Sequence, residues 1–130
     1  MGIIDYTLLK VLAIDDNGII TKMISEYLVS RGHECLVSND GQEGLRLILE
    51  QSFDAILLDL AMPKFSGYDI IQSLIQKGKM KENKILVFSA GDIAEDKLKM
   101  LESNGVNCSI HKTTDMHALE KTIQNMVNNA

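Results

Sequence analysis

The sequence predicts an α/β fold with a doubly wound, parallel sheet of five strands and five helices. Short aliphatic runs alternate along the chain with longer segments whose apolar residues recur at helical spacing. Three of the five runs are apolar at every position, which is typical of central parallel strands covered by helices on both faces. Five strands alternating with five helices indicate an open sheet of this class.

The five predicted strands differ in polarity, and this difference predicts their places in the sheet. The first, third and fourth runs, residues 11–14, 55–58 and 85–88, are wholly apolar. The second and fifth runs, 35–37 and 108–110, are shorter and more polar, which suits sheet edges. The flavodoxin-like strand order 2-1-3-4-5 places these two runs at opposite edges.

The segments between the strands carry helix signals. In the first segment Ile20, Ile24 and Leu28 recur every four residues, and Gly32 provides a C-cap. Asp40 and Glu43 lie at capping-box spacing at the start of the second helix, and Ser66 and Gly78 flank the third. The fourth helix is predicted over the range 93–104, followed by Gly105, and Thr114 starts the fifth.

Length and composition predict a single domain over residues 1–130, with its core between about Leu9 and Val127. The 130 residues are 45% hydrophobic and 24% charged, enough for one core without metals or disulfides. The net charge of -5 argues against non-specific binding to nucleic acid or anionic membranes. No apolar stretch is long enough to span a bilayer, and the N-terminus lacks signal-peptide features. We therefore expect a cytoplasmic location.

The cysteines and histidines predict no covalent link and no metal site of their own. Cys35 and Cys108 fall on opposite edge strands, about 19 Å apart, which is far beyond the reach of a disulfide. Both thiols are expected to be reduced. The histidines show no metal-ligand spacing, and we interpret them as surface or loop residues: His33, His111 and His117.

Polar residues follow the predicted strands at the edge where ligands bind in such sheets. Asp15 and Asp16 follow the first strand, Asp59 the third and Ser89 the fourth, while Lys112 closes the fifth. Each residue alone is more often a helix cap or a loop residue than a functional group. Their combination at one edge is much harder to attribute to capping.

The chemistry of this group predicts phosphoryl transfer with a divalent cation. The first and third strands are neighbours, so Asp15, Asp16 and Asp59 crowd one crevice and repel unless a cation compensates. Mg²⁺ prefers such oxygen ligands, and Lys112 adds a further positive charge. A carboxylate beside Mg²⁺, a lysine and the Ser89 hydroxyl is placed to attack phosphorus and to hold the phosphoryl oxygens.

The sequence resembles the receiver domains of response regulators in two-component signalling, including the stand-alone receivers of the chemotaxis type, over roughly residues 9–127. The matching residues are Asp15-Asp16, the run Asp59-Leu60-Ala61-Met62-Pro63 with Gly67 eight residues after the aspartate, Ser89-Ala90 and Lys112. The spacing from the aspartate through Met-Pro to glycine is specific. Together with the other three positions in order, it leaves little room for chance.

The resemblance implies a role for each site residue. Asp59 accepts the phosphoryl group, while Asp15, Asp16, Asp59 and the carbonyl of Ala61 bind Mg²⁺. Ser89 hydrogen-bonds the phosphoryl oxygens. Lys112 pairs with Asp59 before phosphorylation and with the phosphoryl group afterwards.

The resemblance also implies partners and a way of signalling. The donor is a sensor histidine kinase, a histidine phosphotransfer protein or a small acyl phosphate. The protein is a signalling phosphoacceptor rather than an enzyme, although it assists its own Mg²⁺-dependent phosphorylation and dephosphorylation. It signals by protein–protein contacts. In relatives kinases dock near Gly18, Ile19 and Lys22, although Ile19 could equally be a core residue.

Two positions depart from the family pattern. Thr113 follows Lys112 where relatives usually carry proline, often with a cis bond, so the aim of the lysine depends on a different loop. Ser109 stands where many relatives carry a Tyr or Phe that swings between exposed and buried positions. We therefore expect a muted or differently coupled conformational response.

Alternatives from other classes fit less well. A dehalogenase-type phosphatase needs a second aspartate at the position of Ala61, and a flavin carrier needs a phosphate loop where residues 15–18 begin with two aspartates that would repel phosphate. A P-loop enzyme is excluded by the absence of its Gly-Lys-Ser/Thr signature. A receiver that binds proteins without being phosphorylated stays open, because Ser109 and Thr113 are unusual.

Overall fold

The sheet has the predicted five parallel strands in the predicted order. The computed structural model describes residues 8–128. The strands are β1 (Lys10–Ile14), β2 (Glu34–Ser38), β3 (Ala55–Asp59), β4 (Ile85–Ser89) and β5 (Cys108–His111). Their order is β2-β1-β3-β4-β5, and every neighbouring pair is parallel. The flavodoxin-like prediction, with the two more polar strands at the edges, is confirmed.

Four helices connect the strands and a fifth follows β5, and two of the five start later than the sequence indicates. They are α1 (Gly18–Ser30), α2 (Gly41–Glu50), α3 (Gly67–Gln76), α4 (Glu95–Ser103) and α5 (Met116–Asn128). The side chain of Asp115 accepts a hydrogen bond from the amide of Ala118 at 2.8 Å. Asp115 thus caps α5, which moves its start two residues beyond Thr114. The first turn of α4 has no side-chain cap, and Ile93 belongs to the preceding loop.

Side chains also cap the first three helices. Asn17 caps α1, and Ser66 forms a reciprocal capping box with Asp69 at α3. The box predicted for α2 forms only in half. Asp40 accepts from the amide of Glu43 at 2.9 Å, but its own amide donates to the hydroxyl of Ser38 at 3.3 Å, so it is already paired without the Glu43 side chain.

The core lies in two layers, one on each face of the sheet. One layer packs side chains of β1, β3 and β4 against α2, α3 and α4, and the other packs the alternate side chains of the same strands against α1 and α5. Among the residues of β1, β3 and β4, Leu12, Leu58 and Leu86 are fully buried. Because the central strands are covered on both faces, their carboxyl ends are held rigidly where the polar residues follow.

We interpret His33 from the sequence as a surface or loop residue, and it does lie in the loop before β2, but it is buried rather than at the surface. His33 is 6% exposed, and its Nδ1 atom accepts the amide N–H of Leu9 at 3.1 Å. Its Nε2 atom lies 2.8 Å from a carboxylate oxygen of Glu120 on α5, which also pairs with Arg31 at 3.1 Å. The sequence does not reveal this cluster, because Glu120 lies 87 positions from His33. His117 is exposed and His111 half-buried.

Two further predictions concern the chain as a whole. Cys35 and Cys108 are both free thiols. Within residues 8–128, no helix has the length and apolar character needed to cross a membrane. The N-terminal stretch in which we predict no signal peptide lies outside the described residues.

Candidate functional site

Three carboxylates meet at the carboxyl ends of β1 and β3. Asp15 follows β1 directly, Asp59 is the last residue of β3, and the pairing of Ile14 with Leu58 brings the two strand ends side by side. One oxygen each of Asp15, Asp16 and Asp59 lies within 4.8 Å of the others. Asp15 and Asp59 are buried, at 2% and 3% exposure, while Asp16 is exposed. The predicted acidic cluster is therefore assembled by the fold.

The loop after β1 is held in place by the loop after β2. The side-chain amide of Asn39 donates to the carbonyl of Asp15 at 2.7 Å and lies 2.9 Å from the hydroxyl of Thr21. The amide of Asp15 donates to the carbonyl of Ser38 at 3.1 Å. The amide of Asn17 donates to Oδ1 of Asp15 at 2.9 Å. Sequence reasoning missed Asn39, since an asparagine after a strand is ordinarily a turn residue.

Asp59 is oriented by its own loop. The amide of Ala61 donates to Oδ1 of Asp59 at 3.2 Å, and Oδ2 faces the ammonium group of Lys112 at 3.4 Å. Gly67 packs so tightly here that a Cβ atom on it would clash with the carbonyl oxygen of Asp59. The spacing of eight residues between Asp59 and Gly67 thus allows α3 to begin in direct contact with the end of β3.

Lys112 reaches the acidic cluster from β5. Its ammonium group lies 2.7 Å from Oδ2 of Asp15 and 5.9 Å from the centre of the Phe88 ring. Its backbone amide donates to the carbonyl of Ser89 at 2.7 Å, which extends the β4–β5 ladder. The Lys112–Thr113 peptide bond is trans, like the others among residues 8–128.

Burial and like charge dominate the electrostatics of the site. Burial and the neighbouring Asp15 carboxylate raise the pKa of Asp59 to about 6, although the Ala61 amide and Lys112 act in the opposite direction. Burial lowers the pKa of Lys112, but its contacts with Asp15 and Asp59 outweigh burial and raise it overall. Lys112 therefore stays positively charged. Its single charge faces the three carboxylates of the cluster.

The residues present fit a divalent cation. Oδ2 of Asp15 is fully buried and accepts no hydrogen bond that satisfies normal geometry, although the Lys112 ammonium lies beside it. This oxygen shares the Lys112 ammonium with Asp59, so one positive charge serves two buried carboxylates, and metal coordination is one way to compensate the remaining negative charge. The donor set is all carboxylate oxygen, which matches the preference of Mg²⁺.

Ser89 lies at the end of β4, next to the cluster but turned toward its own loop. The register of β3 and β4 pairs Asp59 with Phe88, which places Ser89 one residue beyond. Its hydroxyl donates to the carbonyl of Gly91 at 2.6 Å and accepts the Gly91 amide at 3.3 Å. To bind an oxygen at the cluster, the hydroxyl has to exchange these local hydrogen bonds.

The structure locates the predicted kinase-docking region and the unusual residue Ser109. Ile19 is 80% exposed on α1, so it is not a core residue, and Lys22 is exposed one turn further on. Ser109 is exposed on β5 and places no ring against α4.

The comparisons with known proteins agree with this geometry. A model of the response regulator receiver domain matches residues 11–124. The sensor histidine kinase RcsC of Salmonella typhi is 30% identical over 115 residues, which are 88% of this chain but 12% of the kinase. The chain thus spans a small part of this curated relative.

Solved structures give the same result. The chemotaxis protein CheY4 of Vibrio cholerae is 28% identical with a TM-score of 0.81, covering 92% of this chain and 99% of that one. The receiver domain of the Francisella response regulator 1452 is 26% identical with a TM-score of 0.81, covering 93% and 98%. Receiver domains are signalling phosphoacceptors rather than enzymes in the usual sense, and they bind Mg²⁺ at an acidic pocket. This chain belongs to the response regulator receiver domain family of two-component signal transduction.

Proposed function

We propose that Asp59 is the phosphoacceptor of this receiver. The observation that carries the proposal is its carboxylate, buried at the end of β3 with Lys112 at 3.4 Å and two further aspartates around it. Its pKa of about 6 leaves the carboxylate mostly ionised at neutral pH, which a nucleophile requires. Asp15 accepts the nearer contact from Lys112, at 2.7 Å, so the ammonium group holds Asp59 less tightly than Asp15.

The chemistry is a displacement at phosphorus. A carboxylate oxygen of Asp59 forms the new O–P bond while the P–N bond of a phosphohistidine breaks, and the imidazole leaves with the electron pair and takes up a proton. With an acyl phosphate the P–O bond breaks instead. Lys112 and the hydroxyl of Ser89 hold the phosphoryl oxygens, which is the charge stabilisation that such a transfer needs.

The metal site is proposed from the same residues. Asp15, Asp16, Asp59 and the backbone carbonyl of Ala61 would hold Mg²⁺. When bound, Mg²⁺ neutralises the negative charge of the carboxylates and of the transferred group. The same residues would then assist both the gain and the loss of the phosphoryl group.

The partners follow from the family. Receiver domains of this kind work with histidine kinases or histidine phosphotransfer proteins. We propose such a donor, contacts on α1 around Ile19, and an output delivered by protein–protein contact. Residues 1–130 are proposed to form one receiver domain in the cytoplasm, without direct contact to nucleic acid or membrane.

A second candidate is a receiver-like module that binds its partner without phosphorylation. Two observations favour it: Ser89 is engaged by Gly91 rather than by the cluster, and Ser109 supplies no aromatic ring. Phosphorylation at Asp59 is the better-supported function, because the nucleophile, the lysine and the acidic pair are all present and brought together.

The test is direct phosphorylation. The protein is incubated with Mg²⁺ and acetyl phosphate, and intact mass spectrometry counts the added phosphoryl groups. We expect one group on the wild-type chain and on Asp92→Asn, a control carboxylate on the β4–α4 loop. No group should be added to Asp59→Asn or to the wild type after metal chelation. If acetyl phosphate and a panel of phosphohistidine donors all leave the wild type unmodified, the binding-module function replaces this one.

A further inference from the structure

The residues around Lys112 are linked by a compact set of local hydrogen bonds. Nδ1 of His111 accepts the amide N–H of Thr113 at 3.1 Å and lies 2.8 Å from the hydroxyl of the same residue. The amide of Thr114 donates to the carbonyl of His111 at 3.0 Å. The histidine ring therefore folds over the backbone of Lys112 and ties the residue after it to the residue before it.

These contacts restrain the lysine on both sides. On one side, the amide of Lys112 is held by the carbonyl of Ser89 at 2.7 Å in the β4–β5 ladder. On the other side, the next amide, of Thr113, is held by the His111 ring. The ladder ends at His111, so the ring and the following turn are what restrain the peptide after Lys112.

This restraint takes the place of a rigid residue. A proline at position 113 would set its own φ angle and remove the amide N–H. Threonine leaves both free, so the direction of the chain after Lys112 has to be set by other contacts. The amide N–H that proline lacks is the one that His111 binds.

We propose that His111 is a positioning residue for Lys112: its Nδ1 atom holds the Thr113 amide and so aims the ammonium group at Asp15 and Asp59. The proposal rests on the proposed function, because the aim of Lys112 matters when a phosphoryl group is transferred. His111 does not touch the reacting atoms. It acts through the backbone that carries Lys112.

The arrangement sets a chemical requirement that can be tested. To accept from an amide, Nδ1 must carry a lone pair, so the neutral ring has its proton on Nε2. An asparagine at position 111 places an acceptor oxygen close to the position of Nδ1. A glutamine is equally polar, but its acceptor lies further out, near the position of Nε2. His111→Asn and His111→Gln are therefore a matched pair that differs in where the acceptor is.

The experiment measures the rate of phosphorylation of each variant by acetyl phosphate and Mg²⁺, together with its thermal unfolding. Misplacing a reacting group by about 1 Å can cost up to ~100-fold, so we expect His111→Gln and His111→Leu to be about tenfold slower than wild type. His111→Asn should stay within about twofold of wild type. Thr113→Val, which loses the hydroxyl but keeps the amide, should behave like His111→Asn.

A second measurement examines the ring itself. A long-range ¹H–¹⁵N NMR spectrum of the histidines distinguishes the two neutral forms, and His111 is expected in the form protonated on Nε2. The form protonated on Nδ1 would overturn the proposal, since that atom could then not accept from Thr113.

The outcomes separate this proposal from the function on which it rests. Equal rates for His111→Asn and His111→Gln, with an active wild type, overturn the positioning role alone. A wild type that no donor modifies removes the proposed function and the positioning role with it. If both His111→Gln and His111→Leu fail to fold while His111→Asn folds but is slow, the histidine serves stability, and the proposal fails.

Discussion

The ammonium group of Lys112 lies closer to Asp15, at 2.7 Å, than to Asp59, at 3.4 Å. Lys112 and Asp15, on opposite sides of the crevice, thus form the tighter ion pair, and Asp59 is only partly compensated by the lysine charge. Burial and the Asp15 carboxylate therefore prevail at Asp59 and raise its pKa to about 6. Asp59 is the carboxylate that destabilises the metal-free site when it ionises.

Asp59→Asn is expected to stabilise the metal-free protein at neutral and alkaline pH. Because the pKa of Asp59 is about 6 in the folded chain, against an ordinary 3.8, ionisation opposes folding. The penalty is absent below the unfolded pKa, develops as pH rises to about 6, and persists above it. Each pKa unit corresponds to about 1.4 kcal/mol. The free energy of unfolding of Asp59→Asn should therefore rise by roughly 2 kcal/mol relative to wild type between pH 4 and pH 8.

Urea unfolding at both pH values, with the metal chelated, measures this difference. The control is Asp92→Asn, which exchanges an exposed aspartate and should show no comparable gain. A pH-independent difference between wild type and Asp59→Asn would contradict the raised pKa. Adding Mg²⁺ should reduce the difference in stability between Asp59→Asn and wild type, because the wild type binds the ion better and is stabilised more by it.

Glu120→Ala is expected to destabilise the fold by about 2–3 kcal/mol, because it leaves the buried His33 without its partner. Arg31, the other partner of Glu120, is 54% exposed, so water screens its ion pair and the loss of that pair adds little. Burial raises the pKa of Glu120, but hydrogen bonds from His33 and Arg31 outweigh burial and lower it overall. The stabilising effect of Glu120 is therefore present above the unfolded pKa and is lost as pH falls through the folded value.

Urea unfolding from neutral to acid pH tests this second linkage. Glu102→Ala, on the exposed side of α4, is the matched control and should change stability by no more than about 0.5 kcal/mol. The difference between Glu120→Ala and wild type should shrink at acid pH. A difference that grows on acidification would show that the Glu120 carboxylate is not the stabilising form.

Gly67→Ala is expected to lower the free energy of unfolding by at least about 2 kcal/mol. The new Cβ atom would clash with the carbonyl oxygen of Asp59 and lie 2.8 Å from the Cα atom of Leu60. Both contacts are with backbone, so no side chain can move aside. Gly18→Ala is the control, since a Cβ atom there has no neighbour within 4 Å. Thermal unfolding of the two variants should separate them clearly, and equal stability would contradict the close approach of α3 to β3.

Lys64 adopts a left-handed backbone conformation, with φ of 67°, in the loop between β3 and α3. Such a conformation costs about 1 kcal/mol for a residue with a Cβ atom and little for glycine. Lys64→Gly should therefore be more stable than Lys64→Ala by about 1 kcal/mol in urea unfolding. The comparison with Ala removes the lysine charge from both variants. Equal stability of the two would show that the backbone at this position is not strained.

The sequence was sufficient for the order of the elements and for most of the site. The runs at 11–14, 55–58 and 85–88 are apolar at every position, so both faces of each strand have to be covered. They therefore predict central strands without any knowledge of contacts. Capping residues were less reliable. Asp115 displaced the expected start of α5 at Thr114, because either residue can accept from a helix amide.

What the sequence by itself determined was a parallel α/β sheet whose strand ends carry three aspartates, a serine and a lysine, since strand periodicity and chain direction put those residues at one edge. Only the tertiary structure decided which of them pair. It placed Lys112 nearer Asp15 than Asp59, turned Ser89 toward Gly91 and buried His33 against Glu120. These choices depend on side-chain direction and on contacts between residues far apart in the chain, and no local pattern specifies either.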